Sequence, residues 1–389
     1  MNILVDIRTL MDERYSGVSE YTRLLLTALL RADSENRYFF YYNSYADISA
    51  RLPRFDFPNV RLIRTQIPNK LFNYPLLRLW RRPRFDNIVQ RLTGEKMDIF
   101  FMPHVNFAAW SPSVKTILAV HDLSFFRFPE FFSWRKNLWH FLLGIKQLIR
   151  RFDTVVAFSH NTAEDVQALS GIAATRVSVI ASGLEAGFSP MSSSDPRLSV
   201  VRQKYGLPKR FILALSTIEP RKNIEGLIEA FEILKRRDGF KDLQLIIAGG
   251  RGWKATPIYR RATTSFVSSD IRFIGYVENE ERVALYNLAS TFVFPSFYEG
   301  FGFPPLEAMA CGTPTIVAAA SCLPEMVGSG AITVDPYDST LFGEALYNVL
   351  SDEFLARRLS AEGMKRTTSF SWKSTAEKYL ELFHKTVAR

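Results

Sequence analysis

The chain of 389 residues has two cysteines, Cys311 and Cys322, and five scattered histidines. That excludes a disulfide scaffold and offers no zinc spacing, so both thiols are expected to be reduced. No run approaches the roughly 20 consecutive apolar residues of a bilayer span. The start, Met1 to Leu10, has no basic region ahead of its apolar run and meets Asp6 early. No signal peptide is therefore expected, and the location is expected to be cytoplasmic. The glycine cluster Gly249-Gly250-Arg251-Gly252 lacks the Gly-Lys-Ser/Thr ending of a P-loop, and no RRM-type aromatic signature is present. Short-period repeats and low-complexity tracts are absent too. Acidic residues are scarce in one region. Residues 51–150 carry 17 Lys/Arg against 6 Asp/Glu, a net +11, while the whole chain is +10. Such a patch suits nucleic acid, an anionic membrane surface or a phosphorylated acceptor, and the missing P-loop and RRM signatures count against the first.

What is present reads as two α/β domains. The length exceeds most single cores, and 47% hydrophobic residues is ordinary for a globular protein. Apolar runs read as strands at Met1–Arg8, Tyr38–Tyr42, Val60–Ile63, Ile99–Met102, Ile117–Val120, Thr154–Phe158 and Val177–Ile180. A second series follows at Phe211–Leu215, Leu243–Ala248, Ile271–Val277, Thr291–Pro295, Thr315–Ala319 and Ile332–Val334. Helical patterns lie between them, which predicts doubly wound parallel sheets. The Ser/Pro-rich stretch Ser189 to Pro196 reads as the linker. Phe131 to Arg151 reads as one helix, aromatic and basic.

The densest chemistry lies between Thr291 and Pro314. After the strand comes a glycine-rich loop, Glu299-Gly300-Phe301-Gly302-Phe303. Pro304 and Pro305 then open a helical pattern from Leu306 to Cys311, which Gly312-Thr313-Pro314 stops. A strand, a glycine loop and a helix start present backbone N–H groups and a positive dipole end to an anion. Glu299 and Glu307 flank the loop. An acid beside a phosphate site cannot hold the phosphate; it accepts from hydroxyls, and hydroxyls beside phosphate describe a nucleotide sugar. Singly, dipole complementarity accounts for Glu307 and solvation for Glu299. Eight apart across a glycine loop, the pair points to a site.

Three further positions fit the ligand edge of such sheets. Arg221 and Lys222 follow the strand Phe211–Leu215, where a fork and a point charge suit a diphosphate. His121 follows Ile117–Val120, although a lone histidine is more often a satisfied buried group. Gly17 opens an apolar helix, a place that welcomes phosphate but is more often a turn.

These residues also carry a family likeness. EGFGFPPLEAMACGTP, Glu299 to Pro314, resembles the E-x7-E signature of glycosyltransferase family 4 (group 1), retaining GT-B enzymes that use nucleotide sugars. AVHDLSFFRFPEFFS around His121 is similar to the HDL-x5-PE-x-FS segment of the mannosyltransferase-like branch, where the histidine region borders the transferred sugar. Glu219 to Asn223, EPRKN, is a form that also occurs in the family. Many members carry an arginine five residues before this lysine; Thr217 stands there, and Arg221 is its expected replacement. Ile271 to Val277 resembles the nucleobase-binding segment, and Ser321 to Val327 the S-x-LPE-x-V turn. The likeness covers nearly the whole chain, strongest from Phe211 onward and around His121, weakest from Ser44 to Gln90.

The resemblance implies an α/β GT-B fold, two Rossmann-like doubly wound parallel-sheet domains facing across a cleft. Residues 1–190 would form the acceptor side, 191–369 the nucleotide-sugar domain, and 370–389 a helix returning to the first domain. It implies catalytic roles for His121, Glu299, Arg221 and Lys222. Donor binding would involve Gly17, Arg221, Lys222, Tyr276, Val277, Glu299, Gly300, Phe301, Gly302, Phe303 and Glu307. The implied donor is GDP-mannose, with no cofactor or metal. The implied acceptor is a glycan or polyprenyl-diphosphate-linked glycan in cell-surface polysaccharide synthesis. A soluble synthase using UDP-glucose or ADP-glucose is the alternative within the fold, and a non-catalytic nucleotide-sugar scaffold the alternative outside catalysis. No nucleic-acid partner is expected. The basic aromatic stretch 69–85 suits an anionic membrane surface, hence peripheral attachment at the inner face of the cytoplasmic membrane, or equally a core helix with a solvated basic face.

Overall fold

A computed structural model describes residues 1–11, 17–68 and 81–388. Ser16 and Asn69 to Trp80, most of the basic aromatic stretch, lie outside the described residues. The chain forms two compact units. The first comprises Met1–Leu123, Trp134–Gly183 and Phe370–Arg389; the second comprises Ser124–Ser133 and Leu184–Ser369.

The first unit is built on seven parallel strands: β1 (Asn2–Asp6), β2 (Arg37–Asn43), β3 (Val60–Thr65), β4 (Ile99–Met102), β5 (Lys115–Val120), β6 (Thr154–Ala157) and β7 (Val177–Val179). Their order is β3-β2-β1-β4-β5-β6-β7. The second has six: β8 (Phe211–Leu215), β9 (Gln244–Ala248), β10 (Ile271–Gly275), β11 (Thr291–Phe294), β12 (Thr315–Ala318) and β13 (Ile332–Val334). These run β10-β9-β8-β11-β12-β13, also parallel. All thirteen lie on the apolar runs read from the sequence. Continuous runs such as Ile99-Phe100-Phe101-Met102 are buried on both faces, as strands covered by helices on either side must be.

Helices differ more. Phe131 to Arg151 is not one helix: Trp134–Leu143 and Ile145–Arg151 are separated by Gly144, which adopts φ 61°. The left-handed residue breaks the hydrogen-bond ladder. The closing helix Trp372–Val387 belongs to the first unit, where the Tyr21 and Tyr379 hydroxyls meet at 2.7 Å and Phe101 packs on Tyr379 and Phe383. The Ser/Pro stretch is fastened within the second unit. Asn287 accepts from the Met191 N–H and donates to the Ser189 carbonyl, and Asp195 caps the helix Pro196–Tyr205. Cys311 and Cys322 are buried free thiols.

Candidate functional site

In each sheet the strand order reverses once, between β1 and β4 and between β8 and β11. Loops leaving the carboxyl ends of those strands part there and open a crevice, the usual ligand position in such sheets. In the second unit the β8 arm is built by close backbone approach. Ile218 bridges to Arg251, and the Ile218 N–H donates to the Gly250 carbonyl. A Cβ on Gly249 would stand 1.8 Å from the Ser216 carbonyl oxygen, and one on Gly252 would stand 2.8 Å from that of Ile218. The Gly249–Gly252 cluster is thus a packing device for the β8 arm.

Asn223 then turns the arm at φ 52°. Its side-chain amide donates to the carbonyls of Pro295 (3.2 Å) and Pro336 (2.7 Å), tying the β8 arm to the loops after β11 and β13. The Phe297 N–H donates to the Arg221 carbonyl at 3.0 Å. Ser321, itself at φ 51°, accepts from the Glu299 N–H at 2.9 Å. Two side-chain residues in the sparsely populated left-handed region at one crevice mark a site held in shape by its surroundings.

These ties bring Arg221, Lys222 and Glu299 together. The Lys222 ammonium bonds Glu299 Oε1, and an Arg221 Nη lies 3.0 Å from Glu299 Oε2. Arg221 also donates to the Tyr298 carbonyl at 2.6 Å and pairs with Glu219 at 2.9 Å. Lys222 sits 5.0 Å over the Phe294 ring, a cation–π contact. Burial opposes ionisation of Glu299, but Arg221 and Lys222 outweigh it and hold the carboxyl at about 2. Glu219 goes the other way. Burial raises its pKa despite Arg221 and Lys222, and its Oε2 is buried without a hydrogen-bond partner. Lys222 is lowered by burial and by Arg221 beside it. Removing water from such a cluster strengthens its attraction for any anion that enters. Glu219 was not singled out from sequence; its place in the EPRKN run was the available signal.

The glycine loop leads into the helix Phe303–Ala310, capped by Gly302 at φ 90°. This start is three residues earlier than the helical pattern indicated, so Pro304 and Pro305 fall at the second and third helical positions rather than the first. Neither has an N–H, so Phe303 alone supplies one among the first three positions. The helix end is a poorer phosphate cradle than the glycine-loop pattern implies. Its far end closes as expected: the Gly312 N–H bonds Met309 and the Thr313 N–H bonds Ala308, a Schellman arrangement. Glu307 is apart from the Arg221 cluster's contacts. Its carboxylate accepts from the Tyr286 hydroxyl at 2.8 Å and from Arg282 at 3.2 Å. Arg282 and Tyr286 were missed, because nothing local links the helix Asn279–Leu288 to Glu307. Tyr276 and Val277 follow β10; the tyrosine is exposed and the valine buried.

The segment similar to HDL-x5-PE-x-FS divides between the units. Ser124–Ser133 belongs to the second. There Phe131 stacks on Phe297, Phe132 stacks on Trp253, and Phe128 packs against Tyr298. Trp253 Nε1 donates to the Phe131 carbonyl at 2.7 Å. His121 stays in the first unit, at the end of β5. Its Nε2 meets the Pro103 carbonyl at 2.9 Å, so that nitrogen carries the proton. Burial pushes its pKa to about 4, leaving a neutral ring whose Nδ1 is an acceptor. The Tyr21 ring stands edge-on to it at 4.9 Å, one turn from Gly17 on the helix Gly17–Ala32. A Cβ on Gly17 would meet nothing within 4 Å. At the β1/β4 switch point are groups the sequence reading passed over: Asp6, paired with Arg8 at 2.6 Å, and the buried His104. Among the described residues no three His, Cys, Asp or Glu side chains gather as a metal set, and no helix is long and apolar enough to cross a membrane.

Two tandem doubly wound units with polar groups at both switch points define the GT-B class of fold. Solved structures agree on that fold. A sucrose-phosphate synthase from Thermosynechococcus elongatus superposes with TM-score 0.72 at 21% identity, covering 100% of this chain and 99% of its own. Anabaena Alr3699/HepE, solved in complex with UDP-glucose, gives 0.71 at 18%, covering 99% and 100%. Two family models match in sequence: Glycosyltransferase Family 4 over residues 15–187 and Glycosyl transferases group 1 over residues 200–366. The serotype-specific mannosyltransferase WbdA of Escherichia coli is 35% identical over 275 residues, 69% of this chain but only 33% of that protein. The chain therefore spans about a third of the length of that relative. The O-antigen chain mannosyltransferase B of Escherichia coli is 29% identical over 276 residues, 71% of this chain and 70% of that protein. The chain belongs to the group 1, family 4 glycosyltransferases.

Proposed function

We propose that the protein is a retaining mannosyltransferase. It moves mannose from GDP-mannose to a glycan or polyprenyl-diphosphate-linked acceptor in cell-surface polysaccharide synthesis. The observation that carries this reading is the contact of Arg221 and Lys222 with Glu299 at the β8/β11 switch point. The two cations are the natural seat of a leaving diphosphate, and buried positive charge placed where negative charge develops is usually the largest catalytic contribution. That charge makes a divalent metal unnecessary. When a diphosphate takes the cations, Glu299 is released to accept from the donor sugar hydroxyls. Until that exchange, Arg221 and Lys222 keep it ionised. Glu307, steadied by Arg282 and Tyr286, accepts from the ribose. His121 offers its Nδ1 to a sugar hydroxyl.

In the step itself the bond from sugar C1 to the phosphate oxygen breaks. The acceptor oxygen bonds C1 on the same face, and its proton passes to the departing phosphate. No side-chain nucleophile is required, so the glutamates are not the acid and nucleophile of a glycosidase. The mannose assignment is supported by the two Escherichia coli mannosyltransferases. Other relatives are D-inositol 3-phosphate glycosyltransferases, as in Salinispora arenicola, at 29% identity over 64% of this chain. The test is transfer from labelled GDP-mannose, UDP-glucose and ADP-glucose to lipid-linked glycan acceptors, with and without EDTA. Preference for GDP-mannose is expected, and EDTA should change the rate less than about twofold. Preference for UDP-glucose would refute mannose. Glu299→Ala should abolish transfer while GDP still binds; equal loss of both would refute the division of labour.

A further inference from the structure

We propose that the outward face of the helix Trp134–Leu143 docks the protein on an anionic lipid bilayer. In most surface helices the large apolar residues turn inward. Here Leu143 is the one buried residue of the helix. Trp134, Leu138 and Phe141 are 70%, 46% and 80% exposed. Their spacing of four and then three residues puts all three on one stripe. Trp139, next to Leu138, is 42% exposed as well. Scattered exposed apolar residues need no explanation, but a contiguous stripe of this kind marks a surface that something covers.

Charge selects what covers it. Between Glu130 and Asp153 the chain carries five Lys/Arg and no Asp or Glu. Arg135 lies over the Trp134 ring at 5.5 Å, and Arg135 and Lys136 are both exposed. Beyond the end of the helix, Arg81 and Arg151 line a cleft with Leu143 and Gly144. A second copy of this chain would set the same positive surface against itself. An anionic leaflet meets both features at once: it draws the arginines to phosphate level and takes Trp and Phe into its interface. Indole and phenyl rings beside arginine are the residue types that lie at that depth. A helix of ten residues is far too short to span, so the attachment is peripheral and reversible. The surface is separate from the Arg221 cluster, and the proposal stands or falls independently of the donor assignment.

The test is sedimentation of the full chain with vesicles of phosphatidylcholine containing about one-third phosphatidylglycerol, and with phosphatidylcholine alone, near physiological salt. Binding is expected only to the anionic vesicles, weakening as salt rises. The double variant Trp134→Ser/Phe141→Ser should bind about tenfold more weakly or worse, with an unchanged melting temperature because both side chains are exposed. Arg81→Glu/Arg135→Glu should lose binding as well and provides a second route if the first variant fails to fold. Failure of the natural chain to sediment with anionic vesicles would overturn the proposal, as would undiminished binding by both double variants. A dimer in solution that Trp134→Ser/Phe141→Ser dissociates would also overturn it, by showing that a second copy covers the face.

Discussion

At the switch point of the first unit, Asp6 and Arg8 close on each other, and Arg8 spends a further donor on the Phe107 carbonyl at 2.6 Å. The neighbouring imidazoles, His104 and His121, are held neutral by burial, each at about 4. At the switch point of the second unit, two cations share one ionised glutamate, and a second glutamate has its pKa raised. The same strand plan thus carries a self-neutralised edge in one unit and an edge with exchangeable charge in the other. A diphosphate needs the second kind, because an entering anion can replace Glu299 on Arg221 and Lys222. The first kind offers neutral acceptors, which suit hydroxyl groups. All five histidines lie in the first unit and none in the second, so the contrast extends to how each unit responds to pH.

The largest effect that would test this contrast is on chemistry. Lys222→Met should lower transfer about 1,000-fold with substrate saturating, since it removes a charge aimed at the leaving group. Arg8→Met should act differently. It strands the fully buried Asp6 carboxylate and should cost about 3–5 kcal/mol of stability in the first unit, read as a lowered melting temperature. Turnover per folded molecule should fall less than about tenfold. If Arg8→Met cut turnover as deeply as Lys222→Met without loss of stability, the first edge would be no bystander to the charge chemistry.

Much of this contrast was legible in the chain. The thirteen strands were readable because buried parallel strands are continuous apolar runs, and Arg221, Lys222 and Glu299 because they follow such runs directly. What escaped was set by contacts between distant segments. Arg282 and Tyr286 sit on a different helix from Glu307, some 21 to 25 residues away in sequence. Asp6 and Arg8 read as the tail of a strand. Ser321 showed as part of a turn, but its left-handed backbone and its bond to the Glu299 N–H exist only once β11 and β12 pair. The helix boundary at Phe303 was misread because two prolines look like a first position, whereas only one residue can occupy it.

A smaller effect should appear in acid. His104 and His121 titrate at about 4 in the folded protein and near 6.5 when unfolded, so between those values the unfolded chain binds more protons. The stability they contribute is present above about pH 6.5 and is lost as pH falls toward 4. Glu299, lowered to about 2, has the same sign in a lower window: its contribution is present above the unfolded value near 4.5 and fades only as pH falls toward 2. Amide exchange followed from pH 7 to 4.5, corrected for intrinsic rates, should show protection falling in β4 and β5 before β8 and β11. Simultaneous loss in both sheets would remove the pH side of the contrast.

The smallest effect concerns the charge balance of the second edge. If Glu219 is ionised, Arg221 and Lys222 are fully offset by Glu219 and Glu299. If it is protonated, one positive charge is left over for a diphosphate. Burial raises its pKa, and Oε2 has no partner to stabilise an anion. Both make Glu219 easier to protonate than a solvated glutamate, and Glu219→Gln reproduces the protonated form in shape and charge. Oε1 would still accept from Arg221 Nε, at 3.1 Å in the native protein. If Glu219 takes up a proton when the diphosphate binds, GDP affinity of Glu219→Gln should stay within about threefold of the native value near neutral pH, a change under about 0.7 kcal/mol. Tightening beyond about tenfold would mean that an ionised counter-charge had been removed. The second edge would then be as self-neutralised as the first, and its selectivity for a diphosphate would rest on the geometry of Arg221 and Lys222 rather than on surplus charge.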